Sequence, residues 1–225
     1  MQINYCLPVI ERSKGAVLSE IVRHEKDYAC FEIWLDYIKG ADVPFVRRLV
    51  EKYPGKLIFL FRRQKLGRVR MPLEDRKRIM QALNGQKAFL DLDVSQKEEL
   101  DFLILSGLKV RLIGSYHNYR ETPGTAELQH IASTIAAHKP EAVKIATFCK
   151  SEEDALRLLY LQLWLKHYKR DHIVLGMGPY GAVTRVFGTL WGNELIFAPE
   201  RDDEMSAPGQ LTRGQLENIF RSLGI

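Results

Sequence analysis

Cysteine is scarce in this chain: three occur in 225 residues, at Cys6, Cys30 and Cys149. An odd, widely spaced set supports neither a disulfide framework nor a zinc site, which need paired thiols or close ligand spacing. Cys6 and Cys30 sit in strand-like runs as small core residues, and such usage fits a reducing cytoplasm. Long hydrophobic runs are also missing. No apolar stretch approaches the roughly 18 residues of a membrane span. Residues 1–11 lack the basic head and long apolar segment of a signal peptide. Linkers, repeats and low-complexity tracts are absent as well, so one domain over residues 1–225 is expected.

What is present is ordinary for a soluble globular protein: 46% hydrophobic and 27% charged residues. The length allows a sizeable core. A net charge of +5 leaves room for an anionic partner. The densest basic run, Arg62-Arg63-Gln64-Lys65-Leu66-Gly67-Arg68-Val69-Arg70, carries five positive charges. No aromatic platform accompanies it, which argues against nucleic acid. A loop that attracts a small anionic substrate, or a merely solvated loop, fits better.

Strand-like and helix-like segments alternate from end to end. Short runs rich in Val, Ile, Leu and Phe predict buried parallel strands over 3–10, 28–35, 57–62, 88–94, 109–116, 142–147, 172–177 and 194–198. Helical patterns fill the gaps over 16–24, 44–52, 74–83, 97–105, 123–137, 152–168, 181–190 and 212–223. Thr122-Pro123 reads as an N-cap with proline at the first helical position. Ser151-Glu152-Glu153-Asp154 reads as a cap with acidic residues in the first turn. Eight βα units averaging about 28 residues predict a small (β/α)₈ barrel of the α/β class. A doubly wound open sheet is the alternative, but no glycine-rich fingerprint opens the first βα turn. Gly176-Met177-Gly178-Pro179-Tyr180-Gly181 has G-x-G-x-x-G spacing, yet it follows the seventh strand. Pro179 also removes an amide that a phosphate cradle would use, so no dinucleotide site is expected there.

A barrel places its chemistry at the C-terminal ends of strands. The polar residues on or just beyond those ends are Glu32, Asp36, Arg62, Asp91, Asp93, Ser115, His117 and Lys144. Lys144 stands alone in the apolar run Ala142-Val143-Lys144-Ile145-Ala146. Loss of hydration there favours the neutral amine, which is a nucleophile toward carbonyls. Ala142 and Ala146 share its face and leave room around it. The plain alternative is a lysine that snorkels to solvent.

Ser115-Tyr116-His117-Asn118-Tyr119-Arg120-Glu121-Thr122-Pro123, followed by Val143-Lys144-Ile145-Ala146, resembles type I 3-dehydroquinate dehydratase, a (β/α)₈ enzyme of the shikimate pathway. The segments from Gly176 to Arg185 and Ser206-Ala207-Pro208-Gly209-Gln210 extend the match, with partial agreement at Glu32-Ile33-Trp34-Leu35-Asp36 and Phe59-Leu60-Phe61-Arg62. The resemblance implies that Lys144 forms an imine with 3-dehydroquinate and that His117 is the general base and acid. It implies that Arg185 pairs with the substrate carboxylate and that Ser206 and Gln210 lie on a loop that closes over it. Glu32 and Arg62 are assigned to ring hydroxyls or to one another. No metal or cofactor is required, and the resemblance implies a homodimer; with the cysteine usage, the basic run and the short apolar runs above, the expectation is a cytoplasmic protein that engages neither nucleic acid nor membrane. A rim ion pair for Glu32 and Arg62, and an ordinary Pro-Gly turn at 206–210, are the plainer alternatives.

Two positions depart from the family pattern. Trp34 stands where the family usually has arginine, two residues after the glutamate. Leu66 stands where many members carry an acid or amide that orients the catalytic histidine. Two further readings therefore stay open. One is a weakened or non-catalytic barrel with a binding role or a place in a larger shikimate-pathway assembly; the other is a Schiff-base lyase or aldolase on another substrate.

Overall fold

The computed structural model describes residues 2–61 and 71–225. Arg62, Leu66 and the rest of the basic run lie outside the described residues. Among the described residues, eight strands alternate with eight α-helices and hydrogen-bond in the order β7-β6-β5-β4-β3-β2-β1-β8. This is the succession of a (β/α)₈ barrel.

Contacts group the chain into two compact units, Pro8–Ile113 and Gly114–Ile225, the latter together with the residues up to Leu7. The first unit holds α1 (Lys14–His24), β2 (Cys30–Trp34), α2 (Val43–Lys52), β3 (Leu57–Leu60), α3 (Leu73–Ala82), β4 (Phe89–Asp93) and α4 (Lys97–Ser106). Ser13 caps α1 by accepting from the Ala16 amide at 3.2 Å, and Asp42 caps α2 by accepting from Phe45 at 3.0 Å. Phe45, Val46, Leu49 and Val50 form the buried stripe of α2, the spacing by which one helical face packs on a sheet. β2, β3 and β4 run parallel, with Trp34 opposite Leu60 and Leu60 opposite Asp91.

The second unit holds β5 (Arg111–Asn118, entering at Gly114), α5 (Thr125–Ala137), β6 (Ala142–Phe148), α6 (Glu152–His167), β7 (His172–Met177), α7 (Ala182–Trp191), β8 (Ile196–Phe197) and α8 (Arg213–Ser222). β1 (Tyr5–Val9) opens the chain and pairs with β8 through Tyr5–Ile196 and Cys6–Phe197. Thr212 and Gln215 form a reciprocal capping box at the start of α8.

The sequence expectations need correcting at four points. α5 starts after Gly124, not at Thr122-Pro123. The Thr122 hydroxyl instead bonds Thr147 Oγ1 at 2.8 Å and the Phe148 carbonyl at 3.0 Å. It is committed to the end of β6 and cannot cap a helix. β5 runs on to Asn118, so His117 lies within the strand rather than beyond it. β6 likewise runs on by one residue to Phe148, and Lys144 is third of its seven residues, inside the strand rather than at its end. β8 shrinks to two residues.

Candidate active site

In the Gly114–Ile225 unit, the fold brings His117 and Lys144 onto the neighbouring strands β5 and β6. Lys144 is 5% exposed, with Nζ 4.2 Å from the centre of the Phe197 ring on β8. Ser115 and His117 share a strand face; Ser115 is fully buried and His117 partly so. His117 stacks on Tyr119, with ring centres 6.4 Å apart and planes 14° from parallel. Asn118 turns the chain immediately afterwards, its Oδ1 accepting from the amides of Arg120 at 2.9 Å and Glu121 at 3.2 Å.

Arg185, in the first turn of α7, is 1% exposed, and its Nε and Nη1 have no hydrogen-bond partner among the described residues. Burial pushes its pKa down to about 10, with only the Cys149 thiol opposing that shift. Burial pushes the Cys149 thiol upward in turn, which keeps the sulfur neutral and denies Arg185 a counter-charge. A buried guanidinium in this condition has the donors to pair with a planar anion through two parallel hydrogen bonds.

The glycines of the two late motifs explain how Arg185 and the last loop are placed. A Cβ on Gly181 would lie 2.3 Å from the Gly176 carbonyl carbon, so the end of β7 and the start of α7 pack backbone on backbone. Thr184 locks this turn, accepting from the Gly176 amide at 2.7 Å and donating to the Gly181 carbonyl at 2.7 Å. The motif is a packing device rather than a phosphate cradle. A Cβ on Gly209, where φ is +75°, would lie 2.3 Å from the Gly178 carbonyl oxygen, and the Gly178 amide donates to Pro208 at 3.0 Å. The 206–210 loop is thereby docked on the β7–α7 loop. Within it, the Ser206 amide donates to Gln210 Oε1 at 2.7 Å and Gln210 Nε2 donates to Ser206 Oγ at 2.9 Å. Sequence inspection found both motifs but not this docking, which no local signal encodes.

In the Pro8–Ile113 unit, Glu32 is 3% exposed and accepts from the Trp34 indole at 3.0 Å. The indole meets Tyr37 edge-on, ring centres 5.5 Å apart. Trp34 therefore shares the face of Glu32, as strand alternation requires, and spends its one donor on that carboxylate. Asp36, Asp91 and Asp93 are buried in the same unit. Asp93 accepts from the Ser95 amide at 3.0 Å, and its own amide donates to Gln96. No cluster of metal-ligating side chains occurs among the described residues, and none of their helices is long and apolar enough to cross a membrane.

The sequence profile of the type I 3-dehydroquinase family matches residues 5–225. A 3-dehydroquinate dehydratase of Thermodesulfovibrio yellowstonii is 30% identical over 89% of this chain and 93% of its own. One of Methanocaldococcus jannaschii is 28% identical over 98% of this chain and 99% of its own. Among solved structures, the 3-dehydroquinate dehydratase of Geobacillus kaustophilus HTA426 aligns with a TM-score of 0.83 at 22% identity, covering 100% of this chain and 92% of that one. At that identity the structural likeness speaks for the fold.

Proposed function

The chain belongs to the type I 3-dehydroquinase family, and from that premise we propose that it converts 3-dehydroquinate to 3-dehydroshikimate through an imine on Lys144. The observation that carries the reading is Lys144 itself: an amine 5% exposed on β6, against Phe197 and one strand from His117. The Lys144 nitrogen adds to the C3 ketone and water leaves, giving an iminium that draws electrons from the C2–H bond. His117 takes the C2 proton. The electron pair moves toward the iminium, and the C1 hydroxyl then departs as water with a proton from the same imidazole. One imidazole can serve both steps because its ordinary pKa lies near working pH. Removal and departure on one face make the elimination syn. Hydrolysis of the product imine returns the amine, so the net change is loss of one water and needs no metal or cofactor.

Arg185 anchors the substrate carboxylate in this reading, because its Nε and Nη1 have no hydrogen-bond partner among the described residues. Ser206 and Gln210, now bonded to one another, would exchange that bond for substrate oxygens. Family likeness assigns Glu32 and Arg62 to the ring hydroxyls. The protein works as a cytoplasmic homodimer.

Borohydride added with 3-dehydroquinate should leave a reduced adduct on the peptide containing Lys144, and dehydroshikimate should form when the reductant is withheld. Lys144→Ala should lose both signals. His117→Ala should still be trapped while turnover falls about 10²–10⁴-fold. Binding without adduct or product in the wild type would replace this reading with that of a non-catalytic barrel.

A further inference from the structure

The segment that follows β5 ends in a buried hydroxyl pair for which the reaction above has no use. Thr122 is 6% exposed and Thr147 is fully buried. Hydroxyls withdrawn from water are costly unless hydrogen-bonded, and these two are bonded. Thr122 Oγ1 donates to the Phe148 carbonyl at 3.0 Å and stands 2.8 Å from Thr147 Oγ1. A hydroxyl has one proton, so with that proton on Phe148 the Thr147 hydroxyl is the donor of the second bond. The Cys149 sulfur lies 3.8 Å from the same Thr122 oxygen. Thr122 is thereby fixed to three successive residues at the end of β6, 25, 26 and 27 positions further along the chain.

The other side of this clamp leads to His117. Pro123, buried next to Thr122, fixes φ where the chain turns toward α5. Upstream, Asn118 Oδ1 holds the amides of Arg120 and Glu121, and its Nδ2 donates to the Tyr116 hydroxyl at 3.3 Å. Tyr119 rides on the turn so formed and lays its ring along that of His117. A connected path therefore runs from the end of β6, through Thr122 and the Asn118 turn, to the His117 imidazole. Lys144 is on β6 too, but alternation puts it on the opposite strand face from Thr147. The hydroxyl pair thus lies away from a substrate held by Lys144. What it sets is where the turn after β5 stands relative to the strand that carries the amine. An ion pair between Lys150 and Glu121 joins the same two segments at 3.3 Å, but both side chains are more than half exposed, and such a pair holds little.

We propose that Thr122 is a positioning residue for the dehydration: its hydroxyl, clamped to Thr147 and to the Phe148 carbonyl, keeps the His117 imidazole where it can reach the proton next to the Lys144 imine. The proposal rests on the reading of Lys144 as the amine and His117 as the base. Removal of the C2 proton needs the imidazole within hydrogen-bond reach, whereas the amine that forms the imine is carried by β6 itself. Loss of the clamp therefore slows elimination and spares imine formation.

Thr122→Val keeps the shape and removes the hydroxyl. Its kcat for 3-dehydroquinate should fall about 10–100-fold with KM little changed, the size of effect that a small misplacement of a catalytic group produces. Borohydride trapping on Lys144 should proceed at the wild-type rate. Thr122→Ser should restore most of kcat, and Glu121→Gln, which breaks the exposed ion pair, should leave it unchanged. Histidine NMR reads the same clamp without substrate. The His117 ring signal, assigned by its loss in His117→Ala, should shift or broaden in Thr122→Val and return in Thr122→Ser. If Thr122→Val does not fold, Thr147→Val should show the same split to a smaller degree. Wild-type kcat and an unmoved His117 signal in the valine variants overturn the proposal. Trapping and turnover that fall together, in proportion to the loss of folded protein in urea unfolding, overturn it as well. A wild type that neither traps nor turns over removes the catalytic reading instead, while the His117 signal still reports whether Thr122 holds the ring.

Discussion

Arg76 in the Pro8–Ile113 unit and Arg185 in the Gly114–Ile225 unit are both withdrawn from water, at 5% and 1% exposure. Arg76 lies against Glu99, itself fully buried; at Arg185 the Cys149 thiol, and no carboxylate of the described residues, opposes the effect of burial. Burial pushes both guanidinium groups below the ordinary arginine range. Asp36 and Glu98 push Arg76 back up, whereas only a thiol opposes the shift at Arg185. The first arginine completes the fold of its unit. The second leaves its own unit electrostatically unfinished, and in the proposed reaction the substrate carboxylate would complete it. A buried ion pair is expensive to break, while a buried lone charge costs stability until something binds.

The sharpest way to break that contrast is to remove each guanidinium in turn. Arg76→Met strands the Glu99 carboxylate in the interior and should cost about 3–5 kcal/mol in urea unfolding. Arg185→Met should leave the ligand-free protein as stable as the wild type or more so. The same substitution should raise KM for 3-dehydroquinate about 10²-fold, equivalent to about 2–3 kcal/mol of charge-assisted hydrogen bonding. Equal loss of stability in the two variants would show that both arginines are structural.

Proton titration gives a second test. Below pH 10 Arg185 is charged in the folded and unfolded chains alike, so the fold bears the full desolvation cost at neutral pH. Between about 10 and the ordinary arginine range the unfolded chain holds a proton that the folded chain has released. The Arg185 contribution to stability therefore rises with pH in that window. Ligand affinity moves the other way. Binding of a carboxylate ligand should weaken about tenfold per pH unit above 10 in the wild type, and Arg185→Met should not show that decline. Calorimetric titration at a series of alkaline pH values reads both.

Trp34→Phe is the mildest test. It keeps the ring against Tyr37 but removes a donor from the buried Glu32 carboxylate. About 1–2 kcal/mol of stability should be lost, with KM moving only a few-fold. A large fall in turnover instead would make the indole a contributor to the chemistry.

The alternation of elements was legible because a strand repeats every two residues and a helix every three to four, periods that local sequence records directly. Lys144 was legible for a related reason, as one charge in an otherwise apolar strand. The start of α5 was misread because Thr122-Pro123 carries the local signature of a cap. The hydroxyl of Thr122 is instead held at the end of β6, a partner far along the chain. The glycine motifs were visible as spacing alone. That Gly178 and Gly209 pack backbone on backbone, and so dock one motif on the other, is a relation between distant segments.

Sequence by itself therefore determined the succession of eight strands and eight helices, the lone amine in β6 and the family to which the motifs belong. Tertiary structure alone decided that Arg76 would meet a carboxylate and that Arg185 would meet none among the described residues, that Trp34 would hold Glu32, and that α6 and α7 would turn apolar side chains outward. Local periodicity depends on neighbours a few residues apart. The partner of a buried charge, by contrast, is whatever the folded chain brings within a few ångströms of it.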